Sequence, residues 1–149
     1  MLVHGPNTLT FQLTAGNKQI YVVGTYIPPN CTWVVEDIQR AAEVCPAGCK
    51  LLVTGALKVN IKFPHDEQVE VIVIDLLHGY MLQTPCRTTT RARWTWSQKR
   101  GTTRHYLQPD YILARTDEKG MFMGVRFRFP WFLHSDHCAI IAVVRAGRE

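Results

Sequence analysis

Ser135-Asp136-His137 opens directly into an apolar run at 138–144. A carboxylate beside an imidazole is suited to proton transfer, because the acid can orient the ring and stabilise its charged form. A histidine at the mouth of a core strand can equally be a structural imidazole with its hydrogen bonds satisfied. A second chemistry lies upstream. No acidic residue occurs between Asp75 and Asp110, while Arg87, Arg91, Arg93, Lys99, Arg100 and Arg104 all fall in that window. Trp94, Trp96 and Tyr106 are interleaved with them. Cations suit a phosphate backbone, and aromatic rings suit exposed bases; for the two tryptophans alone, a place in the core is the favoured reading. The third chemistry is weaker. Cys45 and Cys49 form half of a zinc pattern, but no second Cys/His pair lies near to complete it. Five cysteines (Cys31, Cys45, Cys49, Cys86, Cys138) read as reduced thiols rather than a disulfide framework. No metal and no other cofactor is expected.

These residues belong to a chain of 149, enough for one domain with a core. The composition, 46% hydrophobic and 19% charged, is that of a globular protein, and the net charge of +5 favours polyanionic partners. No apolar run approaches the roughly 20 residues that span a bilayer. The start, MLVHGPNTLT, lacks the pattern of a signal peptide, so an intracellular location without a membrane partner is expected.

The elements that must position the chemistry follow from periodicity. Two apolar runs flank Ala15-Gly16-Asn17, which predicts a β-hairpin over 9–27, stopped by Pro28 and Pro29. Val34, Val35, Ile38, Ala41, Ala42 and Cys45 recur at helical spacing, with Thr32 as the expected N-cap and Pro46 to Gly48 as the stop. KLLVTG, 50–55, reads as a short buried strand. The stretch 66–80 has β-branched content, yet Val69, Ile72, Val73, Leu76 and Leu77 share one helical face, Asp66 can cap it and Gly79 can end it; a second helix is expected. Strands are expected near 93–97, 109–113 and 139–144. VRFRF predicts one more, with Arg126 and Arg128 on one face. The order β-β-α-β-α-β-β-β-β makes a single mixed α/β (α+β) domain over 1–149.

In this order the segments resemble the endonuclease/exonuclease/phosphatase superfamily. YVVGTYIPPN resembles its strand ending in Tyr-x-Pro-Pro-Asn. LLVTGALKVNI stands where the family has Leu-Leu-x-Gly-Asp-x-Asn. RWTWSQKRGTTRHYLQPDYILAR resembles its Thr-Trp hairpin and following Leu-Asp-Tyr-Ile strand, and HSDHCAIIAVV its terminal Ser-Asp-His. The hairpin is most similar to the endonuclease domains of non-LTR retrotransposons, relatives of apurinic endonucleases. The resemblance implies half of a four-layer α/β sandwich, with a mostly antiparallel sheet and two helices. It implies phosphodiester hydrolysis with Mg²⁺ held by carboxylates. By position it assigns Tyr26 to a phosphate contact, Asp110 to the acid behind the catalytic histidine, His137 to that histidine, and Asp136 to an acid of the metal site or of the histidine's support.

The departures from the pattern carry equal weight. Where the family has its water-activating Asp, this chain has Ala56, and the Asn is replaced by Lys58. Alanine has no proton to exchange, and an ammonium repels Mg²⁺, though it can hold a phosphate. Asp66 falls ten residues later in a separate turn and is not expected to substitute. The family's first half, with an Asn and a metal-binding Glu, has no counterpart here, so the domain reads as truncated. The expectation is a degenerate, catalytically silent domain with relic residues His137, Asp136, Asp110 and Tyr26. Nucleic acid, DNA or RNA, or a protein would bind it, with Lys58, Arg87, Arg91, Arg93, Lys99, Arg100 and Arg104 as the contacts. Two alternatives are a working Mg²⁺-dependent endonuclease completed by a second copy or partner, and a purely structural oligomerisation module. A sheet face bearing Ile20, Val22, Leu52, Ile112 and Ile140 would lie bare without the first half, and a homodimer is the expected cover.

Overall fold

The computed structural model describes residues 2–28, 31–57, 73, 75, 76, 78, 82–83, 94–115, 121–128 and 135–145. Lys58, Arg87, Arg91 and Arg93 lie outside the described residues, as do Asp66 and Cys86.

The expected hairpin forms as β2 (Thr8–Ala15) and β3 (Lys18–Tyr26), in register from Thr8↔Thr25 to Ala15↔Lys18. An unexpected strand, β1 (Leu2–Gly5), pairs with β2. Chain reversal through α1 (Val34–Glu43) returns β4 (Lys50–Ala56) parallel to β3. β8 (Asp110–Arg115) then pairs antiparallel with β4 and also with the two-residue β5 (Leu82–Gln83). The resulting six-stranded sheet has the order β1-β2-β3-β4-β8-β5. Two further pairs stand apart, β6 (Trp96–Arg100) with β7 (Thr103–Leu107) and β9 (Phe122–Arg128) with β10 (Ala139–Val144).

Alternation along the central strands sends one set of side chains to each face. Tyr21, Val23, Leu51, Val53, Tyr111 and Leu113 pack under α1 through Val34, Val35, Ile38, Ala41 and Ala42. Within the expected second helix, Val73, Asp75, Leu76 and His78 are described and are helical. Val73 is fully buried in this core and Leu76 packs against it, whereas Asp75 and His78 are exposed, as one apolar face requires. The other residues of that helix lie outside the described residues.

Three expectations differ from the structure. Thr32 does not cap α1. The N-cap is Trp33, already in the helical region and without a side-chain bond, because a turn joining Val35 N–H to the Thr32 carbonyl winds the chain before the helix begins. The strand expected at 93–97 begins later, at Trp96, and has a partner, β7, whose residues are all exposed and therefore show no apolar alternation. The face bearing Ile20, Val22 and Leu52 is not bare. These three residues are buried, with Ala114, Met121 and Phe122 beside them and Ala142 and Val144 packed against the cluster. The chain's own β9–β10 pair is the cover, since its Phe122, Ala142 and Val144 pack into this cluster while Arg126 and Arg128 face solvent. The outer flank stays open, where Leu9 and Leu13 are 37% and 50% exposed.

Candidate functional site

The register aligns three residues across the centre of the sheet. Tyr26 lies opposite Ala56, and Ala56 opposite Asp110. Alternation places all three on the face of Ile20, Val22, Leu52 and Ala114, at the end where β3 and β4 finish. The strand ends are pinned beyond this row, by Ile27 N–H to the Ala56 carbonyl (2.9 Å) and Leu57 N–H to the Pro109 carbonyl (2.8 Å). Neighbouring strands are about 4.8 Å apart, so the row leaves Tyr26 and Asp110 roughly 10 Å apart across the small Ala56.

His137, just ahead of β10, reaches this row. Its Nδ1 lies 2.8 Å from Asp110 Oδ2, and the same oxygen accepts the Thr95 hydroxyl at 2.7 Å. The Asp110 N–H in turn donates to Thr95 Oγ1 at 3.2 Å, so residue and backbone are held together. An ionised carboxylate only accepts, so Nδ1 carries the proton. In that tautomer Nε2 is the acceptor, on a side chain that is 35% exposed.

The Ser-Asp-His turn is fastened to the start of β6 as a short antiparallel bridge between Trp96 and His137. Ser97 N–H donates to the Asp136 carbonyl (2.9 Å) and Cys138 N–H to the Thr95 carbonyl (2.7 Å). The Trp96 indole donates to Asp136 Oδ2 at 2.7 Å, and Ser135 Oγ accepts the His137 N–H at 3.1 Å. Thus Asp110 backs the histidine, and Asp136 instead takes an indole. Neither tryptophan is a core residue. Both are half-buried, Trp96 on Asp136 and Trp94 against the Tyr106 ring at 4.6 Å.

Sequence reasoning missed Thr95, which is fully buried and serves Asp110 on both sides. Its only sequence signal was its place before Trp96. Thr95→Val is expected to lower stability by about 2 kcal/mol, because a carboxylate loses a buried donor and an N–H loses its acceptor. Thermal unfolding should fall by roughly 4–8 °C for that loss, and Thr95→Ser should recover most of it.

Cys138 closes the site from behind, 4% exposed, with its thiol 3.5 Å from the Trp94 carbonyl. Burial, and then the negative charge of Asp110, raise its pKa above the ordinary 9.0. The unfolded chain therefore releases this proton first, so the stabilising effect is complete at neutral pH and is lost as pH rises through and beyond the thiol range. Iodoacetamide should alkylate the partly exposed Cys31, Cys45 and Cys49 well before Cys138 in the native protein.

The β6–β7 hairpin projects from this frame with residues 98–107 exposed. Lys99 and Arg104 are direct cross-strand partners, and Ser97 and Tyr106 are the next pair on the same face. Arg104 also donates to Ser97 Oγ at 3.2 Å. Arg100, opposite Thr103, lies on the other face and donates to Gln98. Two like charges placed side by side destabilise a hairpin unless an anion lies between them.

No family model and no curated protein matches the sequence. Solved structures do match the fold. The endonuclease domain of TRAS1, a telomere-specific non-LTR retrotransposon, aligns over 95% of this chain and 65% of its own, with a TM-score of 0.76 and 18% identity. The 3′ phosphatase NExo from Neisseria, bound to a product DNA hairpin, aligns over 93% of this chain and 65% of its own at 0.65 and 15%. The AP endonuclease LMAP from Leishmania major aligns over 95% and 55% at 0.69 and 13%. The chain spans under two thirds of the length of each. With its mostly antiparallel sheets and its helix-covered face, the chain has the fold of these solved nucleases, a fold of the endonuclease/exonuclease/phosphatase type.

Proposed function

We propose that the chain is a nucleic-acid-binding domain of the nuclease fold that does not carry out Mg²⁺-dependent hydrolysis. The observation that carries this reading is the row itself: Ala56 stands at its centre, between Tyr26 and the Asp110–His137 pair. Where the resemblance expects an acid to activate water, there is a methyl group. The donor chemistry supports the same reading. Mg²⁺ requires several hard oxygen ligands, whereas Asp110 Oδ2 is already occupied by Thr95 and His137, and no group of three or more His, Cys, Asp or Glu stands together among the described residues. The described residues do not fit the ion. For binding, the support is the Lys99–Arg104 face beside the tilted ring pair of Trp94 and Tyr106, and the DNA-bound state of one enzyme of the same fold.

The test is nicking of supercoiled DNA with Mg²⁺ or Mn²⁺. No cleavage above background is expected; cleavage lost in His137→Ala or in EDTA would overturn the silent reading. A second reading, an enzyme completed by another copy, draws on the intact Thr95–Asp110–His137 network and on the open flank at Leu9 and Leu13. Light scattering separates the two. A mass near 17.0 kDa removes the second copy, and twice that supports it. No helix among the described residues is long and apolar enough to cross a membrane.

A further inference from the structure

We infer that the Asp110–His137 pair is a metal-independent transphosphorylation site for RNA. The inference rests on nucleic-acid binding as proposed above and adds a substrate class and a reaction.

An acid that fixes the imidazole through Nδ1 and leaves Nε2 as a half-exposed acceptor is the arrangement of a general base. Such a base needs a nucleophile to deprotonate, and the described hydroxyls and thiol beside His137 do not serve. Ser135 Oγ is engaged by the His137 N–H, the Thr95 hydroxyl is buried and directed at Asp110, and the Cys138 thiol is buried on the Trp94 carbonyl. Water would have to be positioned as well as deprotonated, and the acid that the resemblance expects for that is Ala56 here. A substrate that carries its own hydroxyl next to the phosphate removes both requirements. RNA does so through the 2′-OH, and an intramolecular nucleophile has an effective molarity of roughly 10⁵–10⁸ M. DNA lacks it. Tyr26, on the same sheet face two strands away, is 47% exposed and stands on the side of the row from which a strand would approach His137.

The step balances without a cofactor. His137 Nε2 takes the 2′-hydroxyl proton, the 2′-oxygen forms a bond to phosphorus, and the bond from phosphorus to the 5′-oxygen breaks. The leaving 5′-oxygen takes a proton from solvent. The products are a 2′,3′-cyclic phosphate and a 5′-hydroxyl, and His137 returns its proton to water.

The experiment incubates the full chain, in EDTA, with one end-labelled oligoribonucleotide and with its deoxy and 2′-O-methyl counterparts, and measures binding of each in parallel. The expected result is cleavage of the ribo-oligomer alone, with cyclic phosphate ends. His137→Ala should lower the rate about 10²- to 10⁴-fold. Asp110→Asn, which nearly preserves the shape, should lower it while circular dichroism stays unchanged. Bound but uncut RNA overturns this inference and leaves the binding reading standing. Cleavage of the deoxy strand, loss of cleavage in EDTA, or equal cleavage by folded Asp110→Asn overturns it as well. Failure to bind any of the three strands overturns both.

Discussion

Gly55→Ala is expected to be the most damaging single substitution in the described fold, costing about 4 kcal/mol. Gly55 adopts φ 140°, and a Cβ there would stand 1.7 Å from the Thr25 carbonyl oxygen and 2.8 Å from its carbon. The obstruction is backbone, which has no rotamer to escape into. Strain at such a conformation costs about 1–3 kcal/mol, and overpacking adds about 1–3 kcal/mol more. Domains of this kind have only about 5–15 kcal/mol to lose. Thr25 and Gly55 are direct partners, and the next pair along is Tyr26 with Ala56, so strands forced apart here also break the row. Gly48→Ala and Gly101→Ala are the controls. Both glycines have positive φ, but a Cβ at either meets nothing within 4 Å, so each should cost only about 1 kcal/mol. Thermal melts of the three variants check this. A Gly55→Ala melt no lower than that of the controls would disprove the close approach of β3 and β4.

The second large effect concerns the hairpin. Lys99→Ser with Arg104→Ser is expected to weaken binding to single-stranded DNA or RNA about 30-fold at low salt, taking each phosphate contact as about 1 kcal/mol. The slope of log K against log salt should flatten by about 1.4, using about 0.7 per contact on single strands. Because these two cations share a face with Tyr106 while Arg100 lies on the other, Arg100→Ser alone should change neither quantity measurably. The hairpin should become more stable in the double variant, since the like-charge pair is gone. Fluorescence anisotropy over a salt series, with a chemical melt of each variant, decides the point. Equal losses from Arg100→Ser and from the pair would mean that the charge acts as a diffuse field and not through one face.

What the sequence by itself determined is local. Turn residues placed the β2–β3 hairpin, alternation placed β9, and short apolar runs placed β4, β8 and β10, each to within a few residues. The 3.6-residue repeat placed α1 and the described part of the second helix. The Ser135-Asp136-His137 turn and the acid-free, cation-rich window are contiguous in the chain, so they were legible before any fold was known. The motif order was sufficient for the fold family.

Tertiary structure alone decided which of these pieces meet. β7 carries no periodicity because none of its residues is buried; only its pairing with β6 reveals it, and only that pairing sets Lys99 beside Arg104. The Thr95-Trp96 step was legible as a motif but not its bonds, since the partners Asp110 and Asp136 lie 15 and 40 residues away. The apolar face of Ile20, Val22 and Leu52 was legible as a face, but its cover was not. Alternation states that a strand has an inside, while what lies against that inside depends on where a distant hairpin, β9–β10, comes to rest.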